Sequence, residues 1–159
     1  MVLESREILP GQTGHEAGRQ LLESMYVSYT GAAMPDVGIA PGGKPYFENS
    51  PVHFSITHTK RHVFCALSEK PVGIDAEEMD RKINLLLAEK ILSENEKKQY
   101  DRAEDKQKAL LTFWVLKEAA AKCTGEGIRG YPNQTDFSLN DPRVTQRDGC
   151  LLAVVEQEK

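Results

Sequence analysis

Apolar residues recur at helical spacing in two long stretches of the chain. From Gly14 to Tyr29 they share one face, while glutamate, glutamine and arginine fill the other, which predicts an amphipathic helix. The segment Glu104–Cys123 has the strongest helical pattern and is rich in leucine and alanine. It is followed by Gly125, and a glycine at that position is typical of a helix C-terminus.

Two shorter helices are predicted before the second of these segments. After Asp80 the apolar positions again share one helical face, and this helix is expected to close at Ser93. The residues on that face are Ile83, Leu86, Leu87 and Ile91. The run from Ser93 to Glu96 then has the form of a capping box, in which a serine and a glutamate three positions later cap a first turn. A new short helix is therefore expected to begin there.

Elsewhere the pattern changes to a period of two, which is typical of strands. Three such segments, Val52–Thr57, His62–Leu67 and Val72–Glu77, are joined by short connections and predict an antiparallel meander. Two weaker strands are expected at Asp136–Leu139 and Cys150–Val155. Helices and strands in this order indicate the α+β class.

Composition narrows the class of protein further. The 159 residues carry 20 Lys and Arg against 24 Asp and Glu, and the net charge of -4 disfavours a general nucleic-acid binder. No apolar stretch approaches the roughly 20 residues that a membrane-spanning helix needs, and the first residues lack the pattern of a signal peptide. The three cysteines are far apart and odd in number, which is typical of reduced thiols. We therefore expect a cytoplasmic globular protein that binds neither nucleic acid nor membranes.

Two acids lie at the end of a predicted apolar strand. Asp75 and Glu77 are two residues apart, so both side chains leave the same face of the strand. Neighbouring carboxylates repel each other unless a cation or a proton lies between them, and Mg²⁺ is the cation that oxygen ligands of this kind suit. A solvated strand end is the alternative interpretation.

A charged stripe continues the apolar face of the last helix. Trp114, Glu118 and Lys122 follow one another at four-residue steps and so share one side of the helix. An ordinary surface pair between the glutamate and the lysine is the commoner arrangement at this spacing. However, this pair extends the face that the tryptophan would bury, and that position favours a functional role.

Hydroxyls, an imidazole and two cations follow the first strand of the meander, in the run Thr57-His58-Thr59-Lys60-Arg61. This set is suited to holding phosphate oxygens. A zinc site built on His58 and His62 is disfavoured, because this region is predicted to be strand and turn and no cysteine is suitably placed in the sequence. A plain surface turn remains the alternative.

Taken in order, four blocks resemble the 4′-phosphopantetheinyl transferases, and more closely the surfactin-synthetase-activating type than the smaller trimeric synthases. The blocks are Gly-Lys-Pro at Gly43–Pro45, Phe-Ser-Ile-Thr-His-Thr at Phe54–Thr59, Val-Gly-Ile-Asp-Ala-Glu at Val72–Glu77, and Phe-Trp-Val-Leu-Lys-Glu-Ala-Ala-Ala-Lys at Phe113–Lys122. The resemblance implies an α+β fold of two pseudo-symmetric helix-plus-antiparallel-sheet halves, 1–72 and 73–159. It also implies a first strand within Met1–Pro10 and an active site at the seam of a monomeric pseudodimer.

The resemblance also implies roles for individual residues. Asp75, Glu77 and Glu118 match the family's metal-binding acids, and Lys122 matches the lysine that approaches the phosphates of coenzyme A. The matches to the groups that bind coenzyme A are Lys44, Thr57, His58, Thr59 and Arg61, with Lys60 and Arg19 as further candidates. Thr57 stands where the family usually has serine, and it keeps the hydroxyl. The role of the other signature lysine, Lys117, stays open.

The implied reaction transfers 4′-phosphopantetheine from coenzyme A to a serine of an apo carrier protein and releases adenosine 3′,5′-bisphosphate. It would depend on Mg²⁺, with Glu118 and Lys122 as the catalytic residues and Glu118 as the candidate base. The alternative is a non-catalytic module of the same fold that binds coenzyme A or a carrier protein. The sequence does not indicate which carrier protein is the partner.

Overall fold

A computed structural model describes residues 1–127 and 132–158, and within them it contains four α-helices and eight strands. The helices are α1 (Gly14–Thr30), α2 (Ala88–Ile91), α3 (Glu94–Arg102) and α4 (Lys106–Thr124). The strands are β1 (Val2–Glu7), β2 (Val37–Ile39), β3 (Pro45–Phe47), β4 (His53–His58), β5 (His62–Ser68), β6 (Val72–Glu78), β7 (Val144–Arg147) and β8 (Cys150–Glu156). None of the helices in this part of the chain is both long and apolar enough to cross a membrane.

The first layer of the molecule is α1 packed on the antiparallel sheet β1-β5-β4. A capping box between Thr13 and Glu16 starts the helix, and Gly31 ends it in the left-handed conformation at φ 71°. The apolar face of α1, including Leu21 and Leu22, packs against alternate residues of β5 such as Val63. The predicted helix and the predicted first strand are both confirmed.

The second layer is α4 packed on the antiparallel sheet β6-β8-β7. Asp105 caps α4, and Gly125 closes it at φ 77°, as the glycine signal predicts. The helix approaches β6 very closely at Gly73, where a Cβ atom would collide with the backbone of Ala119 and Cys123. A glycine at this position therefore sets the distance between α4 and β6.

The two sheets pack face to face between the helices. Phe64 and Ala66 of β5 meet Ile74 and Ala76 of β6 and Leu152 of β8 in one buried apolar cluster. Consequently β6 is buried on both faces, since its odd-numbered residues face α4 and its even-numbered residues face the other sheet. The α+β class is confirmed, while the pseudo-symmetry of the halves and their boundary after residue 72 stay predictions.

The predicted three-stranded meander is wrong at its third strand. β4 and β5 pair antiparallel as expected, but β6 pairs with β8 instead of β5. The short connection through Pro71 carries the chain from one sheet to the other. On its remaining edge β6 lies beside β4, where the Ile74 amide donates to the Ser55 hydroxyl at 3.0 Å.

The predicted helix after Asp80 is largely absent. A 3₁₀ turn at Leu85–Leu87 and the single turn α2 replace it, and Leu86 is 82% exposed instead of sharing a buried face. The Asn84 side chain accepts from the Leu86 amide and so favours the tighter turn. By contrast, the capping box at Ser93 is confirmed as the start of α3.

The predicted strand Asp136–Leu139 is also wrong, because this segment is irregular. The strand that pairs with the other edge of β8, away from β6, is β7. The turn between β7 and β8 consists of Asp148 and Gly149, both with positive φ. An Asp-Gly pair at this position is a strong hairpin signal. A second short hairpin, β2–β3, lies inside the stretch that the sequence suggests is loop, with the turn at Gly43.

Candidate active site

A buried carboxylate and a lysine meet at the seam between β6 and α4. Asp75 is 7% exposed, and its Oδ1 accepts from Lys122 Nζ at 2.9 Å and from Thr57 Oγ1 at 3.4 Å. Lys122 Nζ also donates to the Ile74 carbonyl at 3.1 Å. These bonds join residues of β4, β6 and α4, and they bring Asp75 and Lys122 into contact.

Glu118 and Glu77 complete an acidic patch around Asp75. Glu118 lies one helical turn before Lys122 and is half-buried, while Glu77 follows on the same face of β6 and pairs with Arg81. Among the described residues, Lys122 pairs with Asp75 and not with Glu118. The surface-pair interpretation of Glu118 and Lys122 therefore does not describe this site.

Burial and mutual repulsion destabilise the charged forms of these acids. Burial raises the pKa of Asp75, and the Lys122 ammonium opposes this shift. Burial is also the main cause that raises the pKa of Glu118, followed by the negative charge of Asp75. The pKa of Glu77 is raised by burial and, after the opposing effect of Arg81, by Asp75. Lys122 and Arg81 together do not balance three carboxylates, so the site favours an added cation.

The residues present fit a divalent cation bound through oxygen. Asp75 Oδ2 is buried and has no hydrogen-bond partner among the described residues, which leaves a lone pair free for a ligand. Carboxylates are the ligands that Mg²⁺ prefers. Within that part of the chain, however, the oxygens of Asp75, Glu77 and Glu118 do not form a group lying within 4.8 Å of one another. Binding would thus require the three side chains to move closer.

The side chain of Thr57 does not lie with those of the basic residues that follow it in the sequence. Because side chains alternate along β4, Thr57 is buried toward Asp75, whereas the neighbouring His58 is exposed. The His58 ring lies against Gly14 at the start of α1, where a Cβ atom would collide with it. Thr57 therefore contacts the acidic patch, and His58 lies at a separate basic site.

The basic site lines a cavity of about 790 Å³. His58, Thr59, Lys60 and Arg61 all line it, together with the acids Glu77, Glu78 and Asp80 and two cations that the sequence reasoning missed, Arg81 and Lys82. Arg61 pairs with Glu78 at 3.5 Å and with Asp80 at 3.2 Å, and Thr59 Oγ1 donates to Glu78 at 2.7 Å. The only sequence signal for Arg81 and Lys82 was their place directly after the acidic strand.

Lys44 lies between the β2–β3 turn and the end of α4, where it lines two further cavities. Its Nζ donates to the carbonyls of Val72 and Cys123 at 2.9 and 3.1 Å, and burial lowers its pKa. Lys44 and Lys122 line a common cavity of about 270 Å³. A larger cavity of about 930 Å³ adjoins the same turn and is lined by Lys44, Tyr46 and Lys117 among others.

Lys117 is held in a buried network on the far side of α4. Its Nζ lies 2.8 Å from Glu96 Oε1, and the two side chains are 1% and 0% exposed. The same ammonium donates to the carbonyls of Pro132 and Thr135 at 2.7 and 2.8 Å, and Glu96 Oε2 accepts from the Phe137 amide at 2.7 Å. This signature lysine therefore anchors the segment after α4 to α3. Glu96 was recognised in the sequence as a capping residue only, and the remaining candidate, Arg19, is exposed on α1.

Comparisons with known proteins identify the family of this chain. The family model of the 4′-phosphopantetheinyl transferase superfamily matches residues 71–152, which include β6, α4 and the start of β8. The chain belongs to this superfamily. The match contains Asp75, Glu77, Glu118 and Lys122, and the family expected from the sequence is thus confirmed.

Curated relatives support the surfactin-synthetase-activating type. The chain is 36% identical over 91 residues to the 4′-phosphopantetheinyl transferase gsp of Aneurinibacillus migulanus, a match that covers 54% of this chain and 36% of the relative. It is 37% identical over 109 residues to psf-1 of Bacillus pumilus (66% and 46% covered). It is 36% identical over 90 residues to Sfp of Bacillus subtilis strain 168 (54% and 39% covered). The chain therefore spans less than half the length of each of these relatives.

Proposed function

We propose that the chain transfers 4′-phosphopantetheine from coenzyme A to a serine hydroxyl of an apo carrier protein and releases adenosine 3′,5′-bisphosphate. The observation that carries this proposal is the meeting of Asp75 and Lys122, beside Glu118, at the seam of β6 and α4. Family membership supplies the reaction class, and the relatives named above are 4′-phosphopantetheinyl transferases. The site would work in a single copy of the chain, in the cytoplasm.

Asp75, Glu77 and Glu118 would hold Mg²⁺. When bound, this ion supplies positive charge to the pyrophosphate of coenzyme A as the bond to the leaving phosphate breaks. The buried Oδ2 of Asp75 is the free acceptor that such an ion needs. Thr57 and Lys122 fix the other oxygen of Asp75 and so orient the carboxylate.

Glu118 is the candidate acceptor of the serine proton, and Lys122 is the candidate partner of the phosphates. Burial and Asp75 raise the pKa of Glu118 in the metal-free chain, whereas a bound cation would make this carboxylate a weaker base, so Glu118 would act first as a ligand and second as the base. General-base assistance of this kind accelerates a reaction by about 10²–10⁴-fold. Lys122 would place its ammonium where negative charge develops on the leaving oxygen.

The basic site would bind the adenosine-phosphate end of coenzyme A. His58, Thr59, Lys60 and Arg61 line it, and Arg61 would exchange its exposed pair with Asp80 for a phosphate, since such surface pairs contribute little. At the other end of the seam Lys44 lines the cavity that it shares with Lys122 and would approach coenzyme A there.

The proposal is tested by incubating the purified chain with coenzyme A, Mg²⁺ and a panel of apo carrier proteins of acyl and peptidyl type. Intact-protein mass spectrometry should show the mass of one phosphopantetheine added to at least one carrier. Calorimetry on the same samples tests the alternative, because a binding module would bind coenzyme A without transfer. Binding without any mass increase across the panel would overturn the proposed reaction.

A further inference from the structure

A cluster of three different metal-ligand types lies on the face of β6 opposite the acidic patch. His62, Glu78 and Cys150 each offer one ligand atom, and these atoms all lie within 4.8 Å of one another. We propose that His62, Glu78 and Cys150 bind a transition-metal ion of the zinc class. This site is separate from the proposed Mg²⁺ site and does not depend on the proposed transfer reaction.

The backbone brings the three residues together from both sheets. Glu78 and Cys150 are directly opposite each other in the register of β6 and β8, and His62 is the first residue of β5. Directly opposed residues on antiparallel strands have Cβ atoms about 4.5–5.5 Å apart. The even-numbered position of Glu78 turns it toward the inter-sheet core, whereas Asp75 and Glu77 face α4. A metal here would join the two sheets at one end of their interface.

The imidazole of His62 provides independent support. Its Nδ1 atom is buried and has no hydrogen-bond partner among the described residues. A buried polar nitrogen without a partner destabilises the fold, so such atoms are rare unless a ligand satisfies them. A metal ion bound through Nδ1 would satisfy this nitrogen directly.

The donor set selects the class of metal. One imidazole, one carboxylate and one thiol suit Zn²⁺ or Co²⁺, whereas Mg²⁺ prefers oxygen ligands alone. Ligand atoms around a tetrahedral zinc ion lie roughly 3.3–3.8 Å apart, so the present cluster needs only a small contraction. Cys150 would bind as the thiolate and release one proton to solvent. Three protein ligands leave a fourth position for water.

The surroundings already orient the carboxylate of the cluster. Thr59 Oγ1 donates to Glu78 Oε1 at 2.7 Å, and Arg61 Nη1 lies 3.5 Å from Glu78 Oε2. Such partners of a ligating carboxylate fix its direction and strengthen metal binding. Cys150 is distant from His62 in the sequence, and the two meet only in the fold because β8 pairs with β6.

The test is a cobalt titration of the metal-stripped, folded chain. With excess Mg²⁺ present to fill the acidic patch, the proposal predicts one Co²⁺ per chain and a thiolate-to-cobalt charge-transfer band in the near ultraviolet. The Cys150→Ala variant should lose this band, and His62→Gln should weaken Co²⁺ binding by more than the roughly 10–100-fold that loss of an outer-shell partner costs. Cys123→Ala and His15→Gln are matched controls that should leave both unchanged. Circular dichroism establishes that each variant is folded.

Two further measurements make the result decisive. Zn²⁺ should displace Co²⁺ and abolish the band, while excess Mg²⁺ should not, and Asp75→Asn should leave Co²⁺ binding intact. The proposal would be overturned if the folded wild type gave no thiolate-to-cobalt band with excess Co²⁺, or if Cys150→Ala retained it. Neither result would bear on the transfer reaction, which is measured by carrier mass.

Discussion

Lys117 and Glu118 are adjacent in α4, but their side chains lie on opposite sides of this helix. Glu118 faces β6 and lies near Asp75, whereas Lys117 is buried with Glu96 on the far side of α4. The motif therefore combines Glu118, for which we propose a chemical role, with Lys117, whose contacts are structural. Sequence spacing predicted the stripe of Glu118 and Lys122, because four-residue steps fix a helical face. The spacing did not predict the role of Lys117, because its partners lie in α3 and in residues 132–135.

Replacing Lys117 should test its structural role. In Lys117→Met the carboxylate of Glu96 would stay buried without its cation, and a broken buried pair costs about 3–5 kcal/mol. Urea unfolding should therefore show a large loss of stability. The double variant Lys117→Met/Glu96→Gln should recover part of it, because no uncompensated charge remains.

The matched control is Lys97→Met, which removes pairs to the exposed Glu89 and Glu94 and should change stability little. Equal stability of Lys117→Met and Lys97→Met would contradict the structural role of Lys117.

The raised carboxyl pKa values also predict how stability depends on pH. Because burial raises the pKa of Asp75, Glu77 and Glu118 in the folded state, the metal-free protein should gain stability from them as the pH falls through those values. Mg²⁺ needs the charged carboxylates, so the stabilisation by added Mg²⁺ should shrink over the same range, above the ordinary carboxyl pKa of about 4.

Thermal unfolding with and without Mg²⁺ between pH values of about 5 and about 8 measures this effect. A stabilisation by Mg²⁺ that stays constant or grows as the pH falls would contradict it.

At the scale of elements, the helices whose sequence signals lie within one segment were predicted well. The helices α1 and α4 have one apolar face and end at Gly31 and Gly125, so their signals are local. The pairing of β6 with β8 could not be predicted from local sequence, because both faces of β6 are buried and its partner strand is distant in the sequence. The apolar run around Leu86 was misleading, since its residues divide between core and solvent.

The close packing of α4 on β6 predicts that Gly73 tolerates no side chain. In Gly73→Ala the added methyl group would meet the backbone of Ala119 and Cys123, so the helix must shift away from the strand. Overpacking of this kind costs about 1–3 kcal/mol and should also lower transfer activity, because Asp75 and Lys122 would separate. Chemical denaturation and the transfer assay measure the two effects.

Gly18→Ala in α1 is the matched control, since its new methyl group would meet only side chains of β4 and β5. The alanine gains about 0.8–1.0 kcal/mol of helix propensity there, which offsets the tighter packing. Equal losses of stability and activity in both variants would contradict the special role of Gly73.

At the scale of the whole molecule, the candidate site depends on the stacking of the two sheets. Thr57 comes from β4 of one sheet, Asp75 from β6 of the other, and Lys122 from the helix behind it. The sequence predicted most of these residues through the order of four short blocks. The period of two already places Thr57 and His58 on opposite faces of β4. The sequence could not predict that Cys150 reaches His62, because that contact follows from how the sheets pack.

The central claim is that the acids at the seam of β6 and α4 carry out the transfer, and the Glu118→Gln variant tests it most directly. The substitution keeps the size of the side chain and removes one of three repelling charges, so the variant should fold at least as stably as the wild type. Intact-protein mass spectrometry of an apo carrier should show phosphopantetheine added by the wild type and by the exposed control Glu104→Gln. Glu118→Gln should be slower by about 10²-fold or more. Transfer at the wild-type rate by folded Glu118→Gln would contradict the account.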